Sequence, residues 1–204
     1  MNLLHVDSGI LGTSSVSRRL SAAAVAQWRE RYPETNFVYR DLVSDPIDHL
    51  TGDLIAARRI DADQHSTAMR HALAVSETVL DEFMAADVVV IGAPMYNFGI
   101  PSQLKAWIDR LAVAGKTFRY TEKGPLGLAG GKMVIVASSR GGFYGADSPL
   151  NAIDHQEKYL NTIFGFFGIT DIRFLRAEGV NVSAEQRQKA IATAERNVVQ
   201  LLAA

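Results

Sequence analysis

Three short stretches carry residue types that could bind a phosphate and a flat ring. Ser8 and Gly9 open a loop that continues into the hydroxyl run Thr13-Ser14-Ser15-Val16-Ser17. A helix that starts there offers free N–H groups and a favourable dipole, which together hold a phosphate. Ser and Thr hydroxyls add donors without adding charge, although Ser15 and Ser17 would equally serve as helix caps. The second stretch is Pro94-Met95-Tyr96-Asn97-Phe98-Gly99. Its aromatic faces and backbone groups suit a planar ligand, or else they pack under the following helix. The third is Ser138-Ser139-Arg140-Gly141-Gly142. Paired glycines let the backbone approach a ligand closely, and their N–H groups can donate to acceptors on the rim of a ring. Taken alone, this stretch reads equally as a strand-to-helix turn.

The elements that must position these stretches follow from the hydrophobic pattern. Residues 2–6 form a short apolar run that reads as a buried strand. Leu20, Ala24, Trp28 and Tyr32 recur at helical spacing, and Pro33 and Asn36 close that helix. A second strand is expected over 37–42. Residues 43–66 read as an irregular connection with a helical turn near 54–59, followed by a helix over 68–84. The run at 87–93, DVVVIGA, is continuously apolar, the pattern of a strand covered on both faces. Pro101 suits a first helical position and Gly115 a stop. Residues 116–131 read as a loop rich in Gly and aromatic residues. A strand over 132–137, a helix over 149–167, a strand over 172–177 and a last helix from Ser183 to the end complete the pattern. Ser-Ala-Glu-Gln at 183–186 is a capping box.

Strand and helix alternate five times, which implies a parallel sheet with helices on both faces. The whole chain, 1–204, reads as a single domain. In such a sheet the ligand lies beyond the carboxyl ends of the strands. The three stretches follow the first, third and fourth strands, so they should be neighbours in space.

Composition narrows the function. The net charge is −1, which argues against a nucleic-acid binder with a clustered basic face. With no cysteine, disulfides, thiolate metal sites and a cysteine nucleophile are excluded. The N-terminus lacks a basic leader, and no apolar run would span a bilayer, so a cytoplasmic location without membrane contact is expected. Gly115-Lys116-Thr117 and Gly131-Lys132 fail the P-loop pattern. No Gly-x-Gly-x-x-Gly follows the first strand, and the histidines at 5, 49, 65, 71 and 155 show no metal-ligand spacing. Arg18 and Arg19 could sense the phosphate, but they read first as exposed helix arginines.

The sequence resembles the FMN-dependent NADH-azoreductase family over essentially its whole length. The resemblance rests on Ala93–Phe98 with Gln103-Leu104-Lys105, on Thr117–Glu122, on Ser139–Gly142 and on Gly165–Asp171. It implies a flavodoxin-like α/β fold, a doubly wound five-stranded parallel sheet of order 2-1-3-4-5. It implies bound FMN, with Ser8, Gly9, Ser15, Val16 and Ser17 around the phosphate. Met95, Tyr96, Asn97, Phe98, Ser139, Arg140, Gly141 and Gly142 would embrace the isoalloxazine. Gly9 stands where the family often has a second serine, and Val16 where it is often polar, so only backbone groups could contribute there. A homodimer is implied, with Tyr120 and Phe164 walling the acceptor pocket. NADH or NADPH would be the transient co-substrate, and a quinone or azo compound the acceptor, in a ping-pong cycle. No catalytic acid or base and no metal is implied. The alternative is a flavodoxin-type electron carrier that turns over no substrate. Such carriers are usually acidic, unlike this chain, and lack a long aromatic loop before the fourth strand.

Overall fold

A computed structural model describes residues 1–203. It contains a five-stranded sheet built from β1 (Asn2–Asp7), β2 (Asn36–Asp41), β3 (Val88–Pro94), β6 (Met133–Ser139) and β7 (Asp171–Ala177). Between β3 and β6 lies a separate antiparallel hairpin, β4 (Phe118–Thr121) and β5 (Gly124–Gly127). The main sheet is parallel throughout, in the order β2-β1-β3-β6-β7. With the hairpin strands set aside, this is the expected 2-1-3-4-5.

Among the described residues five α-helices lie between strands, α1 (Val16–Arg31), α2 (Gly52–Ala57), α3 (Thr67–Ala85), α4 (Ser102–Leu111) and α5 (His155–Phe166), and α6 (Ala184–Ala203) follows the last strand. Alternation along the strands divides the core in two. Leu4, Val6, Val89, Ile91, Val134 and Val136 pack with residues of α3, α4 and α5. Leu3, Val88, Val90, Ile135 and Leu175 pack with α1 and α6. All seven residues of β3 are buried, as a strand covered on both faces requires.

Two expectations change. The 116–131 stretch is not a plain loop, because it holds the hairpin. Its strands have four residues each, and Pro125 opposite Tyr120 breaks any strand signal. Gly127 is packed against the end of α5, where an added Cβ would overlap backbone atoms of Phe167 and Gly168. The helix expected over 149–167 is also divided. Pro149–Ile153 forms a 3-10 turn, and α5 starts only at His155. Asp154 causes the break: its carboxylate accepts from the Gln156 and Glu157 N–H groups, so it caps the helix.

Candidate functional site

The carboxyl ends of β1, β3, β6 and β7 converge on a cleft of about 120 Å³. Its lining includes Ser14, Ser15, Val16, Met95, Tyr96, Ser139 and Gly141. The three stretches singled out in the sequence are therefore neighbours. A larger cavity of about 640 Å³ lies elsewhere, between the segment after β2 and helices α3 and α4. Its buried cation, Arg110, donates to Ser76 Oγ at 2.9 Å and to the Asp48 carbonyl at 2.7 Å, while its Nε has no partner among the described residues. None of the three stretches lines that cavity, whereas all three line the smaller cleft, which is therefore the better site.

At the phosphate end of the cleft, Ser15 caps α1 and its hydroxyl lies 3.1 Å from that of Ser17. The first turn leaves the Val16 and Ser17 N–H groups without intrahelical acceptors. Gly9 is packed against these hydroxyls: a Cβ there would overlap Ser15 Oγ and lie 3.1 Å from Ser17 Oγ. Glycine at this position leaves room for the two serines. Ser8 does not face the cleft with its hydroxyl. It is buried, and both its N–H and its Oγ donate to the Gly92 carbonyl, at 3.1 and 2.7 Å. It joins β1 to β3.

Beneath this loop lies a buried charge network. Arg18 donates to both carboxylate oxygens of Asp41, at 2.9 and 2.5 Å, and to the Gly9 carbonyl at 2.8 Å. Asp7 accepts from Ser21 at 2.8 Å and from Tyr39 at 3.2 Å. His5 Nε2 is 3.3 Å from Asp7 but is not aligned to hydrogen-bond to it. The Arg18 pairing holds the Asp41 carboxyl down at about 2. Burial, reinforced by Asp7 and Asp41, pushes the Tyr39 phenol up to about 12. Arg18 is thus a half-buried support of the loop rather than an exposed helix arginine. Arg19 is exposed but is paired with Glu195.

At the ring end, Tyr96 and Gly99 exchange both backbone hydrogen bonds at 3.0 Å. Asn97 and Phe98 between them have φ of 48° and 69°, the signature of a type I′ turn. Asn tolerates this region, but Phe strains in it by about 1–3 kcal/mol. The strain is held from α5. The His155 N–H donates to the Phe98 carbonyl at 3.0 Å, and Gln156 Nε2 donates to the Ala93 carbonyl at 2.9 Å. Met95 is fixed by its N–H to the Ser139 carbonyl at 2.8 Å.

On the β6 side, Gly141 and Gly142 accept through their carbonyls from Asn181 and Gly179. Their own N–H groups have no partner among the described residues. Arg140 behaves differently from its neighbours. Its side chain is 1% exposed and pairs with Asp154, Glu157 and Glu178. Its backbone N–H and carbonyl are taken by Ala177 and Val180. The Arg140 side chain is thus turned away from the cleft and holds the loop from within.

Tyr120 on β4 is 75% exposed, a position from which a ring can meet a ligand or a second molecule. Phe164 is 0% exposed and packs with Phe83 and Phe167 in the core. It therefore supports the hairpin end from within and is not a wall of a pocket, contrary to the expectation. Sequence reasoning missed Val180, Asn181 and Arg187, which line the cleft from the end of β7 and from α6. The signal was available, because the loop after the last strand also opens at the carboxyl edge of the sheet.

This arrangement can hold a phosphate at the α1 N-terminus and a flat ring between the Tyr96–Gly99 turn and the Gly141-Gly142 amides. Among the described residues that line the cleft, none is a carboxylate.

A family model described as flavodoxin-like fold matches residues 1–202. An FMN-dependent NADH:quinone oxidoreductase of Sinorhizobium fredii is 62% identical, over 98% of this chain and 96% of its own length. A protein of the same name from Rhizobium meliloti is 57% identical over the same shares. The crystal structure of an azoreductase from Bacillus anthracis superposes with a TM-score of 0.89 at 30% identity, covering 98% of this chain and 97% of that one. The chain belongs to the flavodoxin-like family, in the group whose members are named FMN-dependent NADH:quinone oxidoreductases.

Proposed function

We propose that this chain is an FMN-dependent NAD(P)H oxidoreductase that reduces quinones and cleaves aromatic azo compounds. The observation that carries the reading is the convergence of three donor-rich loops on one cleft, with a helix N-terminus at one end and a strained aromatic turn at the other. Solved and curated relatives support it by name, among them a Bacillus anthracis FMN-dependent NADH-azoreductase in complex with FMN, 27% identical with a TM-score of 0.87.

Bound FMN would supply the two-electron redox chemistry that links the nicotinamide to the acceptor. The protein binds and orients. Ser15, Ser17 and the Val16 and Ser17 amides take the phosphate, while Gly9 leaves room for the hydroxyls. Met95, Tyr96, Asn97 and Phe98 hold one side of the ring. The Gly141 and Gly142 amides, which have no partner among the described residues, would donate to its rim. Ser8 and Ser139 fix the strand ends. No side chain of the cleft is placed as an acid or base, so the proton comes from solvent. NADH or NADPH leaves before the acceptor enters the same place, giving a ping-pong cycle. A quinone needs one round and an azo bond two.

We further infer that the whole chain is one doubly wound FMN-binding domain and that it acts as a homodimer. The exposed Phe98, Tyr120, Leu126, Leu128 and Phe143 give a partner apolar surface to cover. The absence of cysteine fits work in the reducing cytoplasm. Among the described residues no helix is long and apolar enough to cross a membrane.

Initial rates measured with NADH and a soluble benzoquinone, each varied against the other, test the cycle. Parallel double-reciprocal lines are expected, and intersecting lines would overturn the ping-pong order. Light scattering on a sizing column tests the assembly: a particle of twice the chain mass is expected, and a monomer at micromolar concentration would remove the dimer.

A further inference from the structure

We infer that Arg187, on α6, is the cation that reads the phosphate of the cofactor and so makes the site select FMN over its unphosphorylated form. The inference rests on the FMN reading above and deepens it.

The sequence leaves this site short of side-chain donors. Gly9 has no hydroxyl and Val16 no polar group, so from this loop a doubly charged phosphate would meet only uncharged donors, the serine hydroxyls and backbone N–H groups. The arginines that begin α1 do not make up the difference. Arg18 is committed to Asp41 through two hydrogen bonds, and Arg19 to Glu195 through two more. In each, the charge is already compensated by a carboxylate.

Arg187 is in a different state. Among the described residues it forms no ion pair, and its Nη2 donates to a neutral acceptor, the Ser14 carbonyl, at 2.9 Å. It is half-buried, and it alone is charged among the residues that line the cleft beside Ser14, Ser15 and Val16. An uncompensated guanidinium at the mouth of a helix N-terminus raises the local potential for an anion. Its planar fork carries five donors. One of them on Ser14 fixes the turn before α1 and leaves others for phosphate oxygens in the paired geometry arginine favours. The scaffold that brings it there is the packing of α6 against α1, whose Leu20, Ala24 and Trp28 share a core with Ala190, Ile191 and Ala194.

The test is a pair of titrations of the full chain, freed of flavin, with FMN and with riboflavin, followed by flavin fluorescence. The wild-type chain is expected to bind FMN more tightly than riboflavin. Arg187→Gln, which keeps a donor but loses the charge, should weaken FMN by about 10- to 100-fold and leave riboflavin unchanged. Arg187→Lys should recover part of the loss. A drop of equal size for both flavins would mean that Arg187 only supports the turn and would overturn the inference. So would unchanged FMN binding. A wild-type chain that binds FMN and riboflavin equally removes the inference but leaves the FMN reading standing, whereas one that binds neither removes both.

Discussion

Gln156 donates its side-chain amide to the carbonyl of Ala93 at 2.9 Å, so the first turn of α5 is bonded to the last residues of β3. The bond ends a chain running in one direction. Arg140 Nε donates to Ser138 Oγ at 3.0 Å, and Ser138 Oγ donates to Gln156 Oε1 at 2.7 Å. Every member is buried. Hydrogen bonds aligned in this way reinforce one another in a low dielectric, and here they anchor the turn that would hold the flavin ring.

Breaking the chain in its middle exposes its worth. Gln156→Leu leaves the Ser138 hydroxyl without its acceptor and removes a donor from the Ala93 carbonyl. Stability is expected to fall by about 1–3 kcal/mol, read by urea denaturation of the apo chain. FMN affinity should fall as well, because the strained Asn97-Phe98 turn loses support. Unchanged FMN binding in a destabilised variant would show that the turn keeps itself.

Gly127 makes a steric prediction. Gly127→Ala would drive a methyl into the backbone of Phe167 and Gly168. Overpacking of this kind costs about 1–3 kcal/mol and should unseat the hairpin that carries Tyr120. Quinone turnover should fall further than FMN binding, since the hairpin is separate from the phosphate and ring loops. A variant with full turnover would show that Tyr120 has no part in the acceptor pocket.

Acid stability should report the support beneath the phosphate loop. Arg18 holds Asp41 at about 2, below its ordinary 3.8. A depressed carboxyl stabilises the fold above its unfolded value, and that contribution is lost as pH falls through the folded one. The wild-type chain should therefore lose stability between about pH 4 and pH 2 in part through Asp41. Asp41→Asn should flatten this limb and lower stability at pH 7 by on the order of 1 kcal/mol. Denaturation midpoints at pH 2, 3, 4 and 7 would show it. An unchanged acid limb would mean that the Arg18–Asp41 pair is not maintained in solution.

The alkaline side has its own marker. Burial pushes the Tyr159 phenol up to about 12, so its contribution is complete below pH 10 and is lost as pH rises toward 12. Tyr159→Phe should remove that part of the alkaline loss while leaving stability at pH 7 nearly as before. Midpoints measured at pH 9, 10 and 11 are the check. A variant whose alkaline loss matches wild type would place the titrating phenol elsewhere.

Much of the fold was legible because buried parallel strands have a plain signature. The run at 87–93 and the one at 132–137 could be read without any long-range information. The three loops were legible for the same reason, since topology alone puts the ends of parallel strands together. What sequence could not show was direction. Arg140 lies in a loop that faces the cleft, yet three carboxylates brought from α5 and the end of β7 draw its side chain into the interior. Phe164 falls in an aromatic stretch, and only the packing of α5 on Phe83 decides that its ring points inward. Arg187 is distant in sequence from every loop it serves. The hairpin strands are too short, and too broken by Pro125, for a two-residue period to appear.

The most direct measurement is the visible spectrum of the FMN-loaded chain, titrated with NADH without oxygen and then exposed to a quinone. The oxidised flavin band is expected to bleach in one two-electron step, with no semiquinone accumulating, and to return in full when quinone is added. A flavin that binds but is not bleached by NADH would contradict the reductase assignment and leave an electron carrier.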